Sequence, residues 1–175
     1  LNFSSKPLIT LKEELEVVVI NIELEQLRFE NKFTYEIDLG KDITPQNIFV
    51  PPLIFQPIIE NAIWHGLLPL KKTRNGKLKI TIHIKNDLLY IQIEDNGVGR
   101  KLIDGSVGNL QKSKGIDITK QRIQKLNVNY NKIDADLDYE DLVNDHNYAV
   151  GSRVIVILPL NLLLGKNEKD KGSSN

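Results

Sequence analysis

Polar side chains interrupt the stretch PPLIFQPIIENAIWHGLLP, residues 51–69, which is otherwise apolar enough to form a buried helix. Glu60, Asn61 and His65 stand where a plain core helix would carry Leu or Ala. At about 100° per residue, Asn61 and His65 are neighbours on one side of the helix, and Glu60 lies near its border. The opposite arc can pack on a sheet and consists of Phe55, Ile58, Ile59, Ala62 and Ile63. One side of this helix can therefore hold it in place while the other lines a site, and Gly66 is expected to end it.

A second group of chemically useful residues is the pentapeptide DNGVG, residues 95–99, directly after a predicted strand. Asp95 supplies a carboxylate acceptor, while Gly97 and Gly99 allow the backbone to approach a ligand closely. Further on, a stretch containing Gly, Ser and Lys includes Lys114, and Gly115 then opens a helix whose N-terminal amides can hold an anion. An amide on a helix, a carboxylate beside a glycine turn and a basic loop before a helix together predict a nucleotide site.

Each of these features also has a structural explanation when it is taken alone. An amide inside a helix can make a local hydrogen bond, a histidine near a helix end can interact with the helix dipole, and DNGVG can be an ordinary turn. The basic run at residues 71–74 is more simply a group of solvated loop charges. The prediction of a nucleotide site therefore depends on the features occurring together in one chain.

The elements that must position these residues follow from the hydrophobic periodicity. A helix is predicted over residues 10–30, with Thr10 and Glu13 as a capping box, and an alternating strand follows at 33–39. Residues 77–85 and 89–94 form a hairpin, a further helix covers about 116–126, and strands are expected near 135–142 and at 153–159. This order predicts an α+β fold, a two-layer α/β sandwich whose mixed, mostly antiparallel sheet is covered on one face by helices.

The composition narrows the classes of function. The 175 residues carry 23 basic and 23 acidic side chains, so a general polyanion-binding surface is not indicated and no nucleic-acid partner is expected. The chain lacks cysteine, which excludes disulfides and thiolate metal sites. Because it also lacks methionine, we expect it to be a fragment of a longer protein. The polar tail, 163–175, is expected to be disordered.

The motifs as a set resemble the ATP-binding catalytic domain of LytS-like sensor histidine kinases, within the GHKL superfamily of gyrase, heat-shock chaperone ATPases, histidine kinases and MutL. QPIIENAIWHG resembles the N box of that branch, DNGVG its first glycine box and SKGIDITKQRIQKLN its second. The segment LEVVVINIELEQLRFENKF and the closing GSRVIVILPL are also similar, so the resemblance covers about residues 10–160. It implies a Bergerat-type ATP-binding fold over 33–162, preceded by a helical segment, 1–32, that links to a phosphoacceptor region outside the chain.

The resemblance implies a role for each matching residue. Asn61 would bind Mg²⁺ through its amide oxygen, a hard ligand of the kind that this ion prefers. Asp95 would accept a hydrogen bond from the adenine amino group, and Gly97 and Gly99 would leave room for the base and sugar. The other residues implied in nucleotide binding are His65 beside the nucleotide, Lys114, Gly115 and Ile116 at the phosphates, and Arg122 in a structural or phosphate-facing position.

Several positions depart from the family pattern. Glu60 would orient Asn61 or a water molecule, but the water-activating Glu of the hydrolytic members would lie four residues before the Asn, where this chain has Pro57. Rapid ATP hydrolysis is therefore not expected. Trp64 stands where the family commonly has Lys, which removes one phosphate contact. Asp117 replaces the second glycine of the GxG pattern, where it would either repel a phosphate, at a cost on the order of 1 kcal/mol or more, or point outwards and cap the helix.

The implied activity is that of a protein histidine kinase domain that presents Mg·ATP to a histidine outside this chain, since His65, His83 and His146 lie in no phosphoacceptor motif. The partners would be the phosphoacceptor helical domain of the same or a partner subunit and a response regulator. The parent would be a membrane-anchored bacterial homodimer with this domain in the cytoplasm. Two alternatives remain open: a degenerate nucleotide-sensing or protein-docking module with a spoiled site, and a hydrolytic GHKL ATPase.

Overall fold

The computed structural model describes residues 8–71, 74–99, 114–129 and 135–160. The segment predicted as a basic loop before Lys114 and the tail predicted to be disordered lie outside these ranges. The helices and strands, in chain order, are β1 (Ile9–Thr10), α1 (Leu11–Arg28), β2 (Phe33–Leu39), β3 (Phe49–Val50), α2 (Gln56–Asn61), which continues as a π-helix (Ala62–Leu67), β4 (Gly76–Lys85), β5 (Leu88–Asp95), α3 (Lys114–Asn129), β6 (Asp136–Val143) and β7 (Ala149–Pro159).

The main sheet has five strands in the order β2–β4–β5–β7–β6. β2 pairs with β4 in parallel, and the other three pairings are antiparallel. The predicted hairpin is confirmed: Lys85 pairs with Leu88 across a turn in which Asn86 and Asp87 have positive φ. β1 and β3 form a separate antiparallel pair that the periodicity did not predict, because strands of two residues carry no alternation.

Alternation places one face of the main sheet in the core. In β4, Leu78, Ile80 and Ile82 are buried, whereas Lys77 and Lys79, which alternate with them, are exposed. The buried face is covered by α1, α2 and α3, whose inward apolar residues belong to the same core cluster. The predicted α+β two-layer sandwich is thereby confirmed. Within the described ranges, none of the helices is both long and apolar enough to cross a membrane.

The first helix begins as the sequence predicts. The hydroxyl of Thr10 accepts a hydrogen bond from the amide of Glu13 at 3.1 Å, and the Glu13 carboxylate accepts one from the amide of Thr10 at 2.8 Å. This capping box pairs two amides that a helix start would otherwise leave unpaired. The inner face of α1 packs in the same core as the main sheet. The division at residue 32, between a linking helical segment and the ATP-binding domain, stays a prediction.

A buried carboxylate joins α1 to the turn from which α2 begins. Glu14 is 1% exposed, and its carboxylate accepts hydrogen bonds from the amides of Leu53 at 2.9 Å and Phe55 at 3.2 Å. Arg122 of α3 donates to the carbonyl of Leu53 at 2.7 Å. Leu53 has a φ of 58°, which a non-glycine residue adopts only where its surroundings enforce it. The turn is therefore held from both sides, and this fixes the start of the helix that carries Asn61.

We expect Glu14→Gln to lower the free energy of unfolding by about 1–3 kcal/mol, because the new NH₂ group would face a backbone N–H that has lost its acceptor. Urea unfolding followed by circular dichroism measures the loss. Glu16→Gln is the matched control, since Glu16 is exposed and forms a surface ion pair with Lys12 at 3.7 Å. Equal stability of the two variants would contradict the structural role of the buried carboxylate.

Candidate functional site

The helix that carries Asn61 changes from an α-helix to a π-helix directly after that residue. α2 ends at Asn61, and the chain continues as a π-helix from Ala62 to Leu67. The amide of Leu68 donates to the carbonyl of Ile63, five residues earlier, at 2.9 Å. Turns of this kind are rare and frequently occur at functional sites. The prediction that Gly66 ends the helix is wrong, because the wider turn keeps the backbone hydrogen-bonded beyond Gly66.

Burial divides this helix into the two sides that the sequence predicts. The arc of Phe55, Ile58, Ile59, Ala62 and Ile63 is buried, whereas Asn61 is half-buried and His65 is exposed. Among the described residues, the side-chain amide of Asn61 takes part in no hydrogen bond, which leaves its oxygen available to a ligand. The buried side fixes the helix on the sheet and the other side carries the candidate site residues.

Asp95 is held in place by hydrogen bonds from two other parts of the chain. It ends β5 and is 2% exposed. One carboxylate oxygen accepts from the amide of Gly97 at 2.7 Å, and the other accepts from the hydroxyl of Ser152 on β7 at 2.5 Å. Burial raises the pKa of Asp95 and so does the nearby charge of Glu94, whereas the hydrogen bonds from Ser152 and Gly97 lower it. A carboxylate buried at an electrostatic cost is typical of functional sites.

Two glycines allow the end of the π-helix to contact the turn after β5. A Cβ on Gly97 would lie 2.3 Å from the carbonyl carbon and oxygen of Gly66, and a Cβ on Gly66 would lie 2.6 Å from Asp95 Oδ1. The amide of Val98 donates to the carbonyl of Gly66 at 3.0 Å. Gly97 is therefore required for backbone packing, a role that the sequence did not suggest. Gly99 has a φ of 63°, in the left-handed region that favours glycine.

Glu60 is directed towards α1. Its side chain is exposed, accepts a hydrogen bond from Gln56 at 2.8 Å, and lines a groove between α1 and α2 together with Asn21 and Glu25. The hydrogen bond of the Glu60 carboxylate is thus made with Gln56 and not with Asn61. The role predicted for Glu60, orienting Asn61 or a water molecule, stays a prediction.

Trp64, which replaces the Lys of the family pattern, also contacts α1. Its ring meets the ring of Phe29 edge-on, with centroids 5.6 Å apart. The guanidinium of Arg28 lies 4.9 Å from the centre of the Trp64 ring, within the range of a cation–π interaction. The substitution therefore exchanges a basic side chain for a packing contact with the last turn of α1.

The start of α3 differs from the prediction. The helix begins at Lys114, two residues before the predicted start, so Asp117 lies in its first turn. The interpretation of Asp117 as a helix cap is therefore wrong, since the cap position precedes Lys114. Its carboxylate favours the positive end of the helix dipole, where a phosphate would also bind. Gly115 lies in the same turn, and the side chain of Ile116 packs against the core.

Sequence reasoning missed Gly151 and Ser152, and it assigned Gly66 only the role of ending a helix. Ser152 lies directly opposite Asp95 in the pairing of β5 with β7, and a Cβ on Gly151 would lie 2.0 Å from the carbonyl oxygen of Asp95. The available signal was the pair Gly-Ser before the apolar run RVIVILP, because small and polar residues are unusual at inward positions of a central strand. The partner of Asp95 depends on strand order, which the periodicity does not give.

Among curated proteins, the relatives of this chain include a sensor protein of the family that the sequence motifs indicate. The chain is 32% identical over 120 residues to the uncharacterized protein YwpD of Bacillus subtilis, which covers 66% of this chain and 41% of that protein. It is 35% identical over 99 residues to the sensor protein LytS of Staphylococcus epidermidis, which covers 57% of this chain and 16% of LytS. The chain thus spans less than half the length of either relative. No protein-family model matches it.

Solved structures share the fold. The catalytic domain of the histidine kinase ThkA matches with a TM-score of 0.57 and 14% identity, over 87% of this chain and 95% of that domain. ThkA in complex with the response regulator protein TrrA matches with a TM-score of 0.56 and 16% identity, over 87% of this chain and 41% of that one. The resemblance to LytS-like sensor histidine kinases is confirmed by the relatives, and the fold is confirmed by these neighbours.

The contact between Gly97 and Gly66 gives a direct test of the site's architecture. We expect Gly97→Ala to lower the free energy of unfolding by roughly 2–4 kcal/mol, because its Cβ would meet backbone that cannot rotate away. Gly40→Ala is the control, since its Cβ would approach no atom closer than 3.3 Å. Urea unfolding of both variants measures the difference, and a Gly97→Ala protein as stable as Gly40→Ala would contradict the packing described here.

The raised pKa of Asp95 predicts a pH dependence with a definite sign. A carboxyl group whose folded-state pKa lies above its usual value of 3.8 binds its proton more tightly in the folded protein. Its contribution to stability is therefore greatest below that value and is lost as the pH rises through the folded pKa. We expect the stability of the wild type relative to Asp95→Asn to increase on acidification from neutral pH towards about 4, by about 1.4 kcal/mol for each unit of raised pKa.

Denaturant unfolding at a series of pH values measures this difference, in which the titrations of all other groups cancel to first order. A relative stability that fell on acidification would mean that the pKa of Asp95 is lowered, and that hydrogen bonds outweigh burial at this carboxylate.

Proposed function

We propose that this chain, which is similar in sequence to LytS and has the fold of histidine kinase catalytic domains, is the ATP-binding catalytic domain of a two-component sensor histidine kinase. The observation that carries the proposal is the buried carboxylate of Asp95, fixed by Ser152 and Gly97 in contact with the helix end at Gly66. A rigid acceptor of this kind suits the amino group of adenine and disfavours a carbonyl at the same position, which would repel it.

The residues present fit a nucleotide at this carboxylate. A carboxylate offers about four lone-pair positions, and the Oδ1 and Oδ2 atoms of Asp95 each accept one hydrogen bond from a side chain or turn amide. The turn at 97–99 has glycine at its first and last positions, and the flat base would approach Asp95 beside this turn. Asp95 would accept from adenine, and the exposed His65 would flank the nucleotide. Gly99 packs against Ala149, since a Cβ there would lie 2.6 Å from the Ala149 Cβ, so it leaves no space for the base and sugar.

Asn61 suits a magnesium ion that is shared with phosphates. Mg²⁺ prefers oxygen ligands and usually keeps several waters while taking one or two from the protein. Within the described ranges, no group of three or more His, Cys, Asp or Glu side chains is arranged to hold a metal by itself. One amide oxygen, at Asn61, fits a metal that arrives with ATP. Bound in this way, the ion would neutralise charge on the phosphates.

The first turn of α3 would receive the phosphates. Its backbone amides, at Lys114, Gly115 and Ile116, begin a helix of 16 residues whose dipole favours an anion. Arg122 contacts the carbonyl of Leu53, so its role in this proposal is to hold α3 against the turn before α2. Asp117 shares the positive helix end with the phosphates and would weaken their binding.

The proposed reaction is phosphoryl transfer to a histidine outside this chain, in which the domain contributes positioning and charge neutralisation. The acceptor would lie on a helical domain of the same or a partner subunit, and a response regulator would then receive the phosphate, as the complex of ThkA with TrrA suggests by analogy. In the longer protein this domain would be cytoplasmic, below a membrane-anchored sensor region, and the whole would be a homodimer.

Calorimetric titration with ADP and a non-hydrolysable ATP analogue, with and without Mg²⁺, tests the proposal. We expect dissociation constants of about 10 μM to 1 mM, and at least about tenfold weaker binding in Asp95→Ala, which loses the adenine acceptor. Asn61→Ala should keep nucleotide binding but lose its dependence on Mg²⁺. Asp138→Ala, which removes an exposed carboxylate on β6, is the matched control and should bind like the wild type.

The same experiments decide between this proposal and its alternatives. Absence of any heat or thermal stabilisation with either nucleotide would favour a protein-docking module that has kept the fold and lost the site. Binding accompanied by steady-state ATP turnover would favour a hydrolytic ATPase, against which Pro57 argues because it stands at the position of the water-activating Glu.

A further inference from the structure

A groove between α1 and α2 lies beside the candidate nucleotide site. Its floor is formed by apolar side chains that also belong to the core. The groove encloses about 330 Å³, including space that is open to solvent. This volume is at the lower end of the range of small-molecule sites, so it suits one long side chain. The polar lining consists of two carboxamides and two carboxylates, Asn21 and Glu25 on α1 and Gln56 and Glu60 on α2.

The charged side chains that line the groove are both acidic. Among the described residues of the lining, Glu25 and Glu60 are charged, and no Lys, Arg or His occurs. Glu60 is exposed and accepts a hydrogen bond of 2.8 Å from the neutral amide of Gln56. The guanidinium of Arg28 lies 3.9 Å from Oε1 of Glu25, beyond hydrogen-bond distance. The groove thus carries two negative charges that one long ion pair offsets in part, and it favours the approach of a cation.

One oxygen of Glu25 lacks a hydrogen-bond donor. Oε2 is shielded from solvent and has no hydrogen-bond partner among the described residues. An acceptor in this position has lost the hydrogen bonds of water without gaining others, which costs free energy. A donor that enters the groove beside Glu25 would supply the missing bond. The charge of the lining and this unpaired acceptor therefore indicate the same kind of occupant, a cation that carries N–H donors.

Exposed apolar side chains border the groove on both helices. Leu24 on α1 is 57% exposed and follows Asn21 by three residues, and Trp64 is 40% exposed and follows Glu60 by four. Residues at these spacings are neighbours on a helix surface. A free cation in the groove would leave both side chains in water. A helix that presents the cation between apolar side chains would cover them as well, which adds hydrophobic stabilisation.

We propose that the groove between α1 and α2 is a docking site for a helical protein segment that presents one arginine between apolar side chains. The planar guanidinium can bind a carboxylate through two parallel hydrogen bonds and keeps further donors for a second acceptor, which the ammonium of lysine does not match. Glu25 and Glu60 would accept these hydrogen bonds. The methylene stem of the arginine would lie on the apolar floor, formed by Val18, Ile59 and Ile63.

This docking site adjoins the proposed ATP site but uses different residues. Glu60 directly precedes Asn61 in the chain, so an occupant would lie against the helix that carries Asn61. Glu25 belongs to α1 and has no part in the proposed binding of nucleotide. The two proposals can therefore be tested separately through variants of Glu25.

The fluorescence of Trp64, the only tryptophan in the chain, reports occupation because its side chain borders the groove. The probe is an alanine-based helical peptide with one arginine between two leucines, each placed one turn away. A matched peptide carries glutamine in place of the arginine. We expect the arginine peptide to change the emission with a dissociation constant of about 0.1 to 1 mM. The glutamine peptide should bind at least about tenfold more weakly, because it lacks the charge-assisted hydrogen bonds.

Glu25→Gln tests the carboxylate with little change of shape. This variant should bind the arginine peptide at least about tenfold more weakly than the wild type, since the guanidinium loses a charged acceptor. Glu16→Gln is the matched control, because Glu16 is exposed on a different side of α1 and should not affect binding. Circular dichroism and urea unfolding establish that both variants are folded before the titration.

Charge exchange provides a second variant. Glu25→Arg should bind the arginine peptide more weakly still, because it places like charges together. A peptide with glutamate in place of its arginine should bind Glu25→Arg better than it binds the wild type, because the pair is re-formed with its signs reversed. Failure of this preference would overturn the assignment of Glu25 as the partner of the cation.

Arginine and glutamine peptides that bind equally would overturn the role of charge, and binding that survives Glu25→Gln would overturn the groove as the docking site. Agmatine, an amine that carries a guanidinium without a helix, is the third probe. If agmatine binds as tightly as the arginine peptide, the occupant is a free cation and the helical partner is overturned. Nucleotide titration of Glu25→Gln keeps this result separate from the proposed function, because its affinity for nucleotide should equal that of the wild type.

Discussion

The close contact between the end of the π-helix and the turn after β5 is the constraint on which the site depends. Neither Gly66 nor Gly97 has room for a Cβ, and the carbonyl of Gly66 is paired with the amide of Val98 at 3.0 Å. Asp95 lies beside this contact and is almost completely buried, so it requires the hydrogen bonds of Gly97 and Ser152. A helix end, a turn and two strands can therefore assemble in one register only, since a shift by one residue would bury a carboxylate without its donors.

A second buried carboxylate performs a different task in the same way. Glu14 and Asp95 both have a pKa raised chiefly by burial, and backbone amides oppose the rise in both. Glu14 binds the turn before α2, which Arg122 holds from the side of α3. It therefore fixes the three helices relative to one another, whereas Asp95 holds the glycine turn after β5 beside the end of the π-helix. The fold thus uses one buried carboxylate to position its helical layer and the other to position the turn after β5.

The sequence predicted most of the sheet and the motifs, because both are local patterns. The strand at β4 alternates apolar and polar residues, β7 is a continuous apolar run, and the capping box at Thr10 needs only residues three apart. Features that depend on distant contacts could not be predicted in this way. The π-helix arises where Gly66 must approach Asp95, and Ser152 becomes a partner of Asp95 only through strand order. The start of α3 was misjudged because helix propensity near Gly115 is weak and packing of Ile116 on the core extends the helix.

The departures from the family pattern lie on the phosphate side of the proposed site, while its base side at Asp95 is intact. At position 64, Trp in place of Lys adds packing contacts with α1. The Trp64 ring packs on Phe29 and makes a cation–π contact with the guanidinium of Arg28. Trp64 is three residues beyond Asn61, and Arg28 is the last residue of α1. A lysine at position 64 would be solvated and would make no such contact. One packed cluster therefore joins the end of α1 to the helix that carries Asn61.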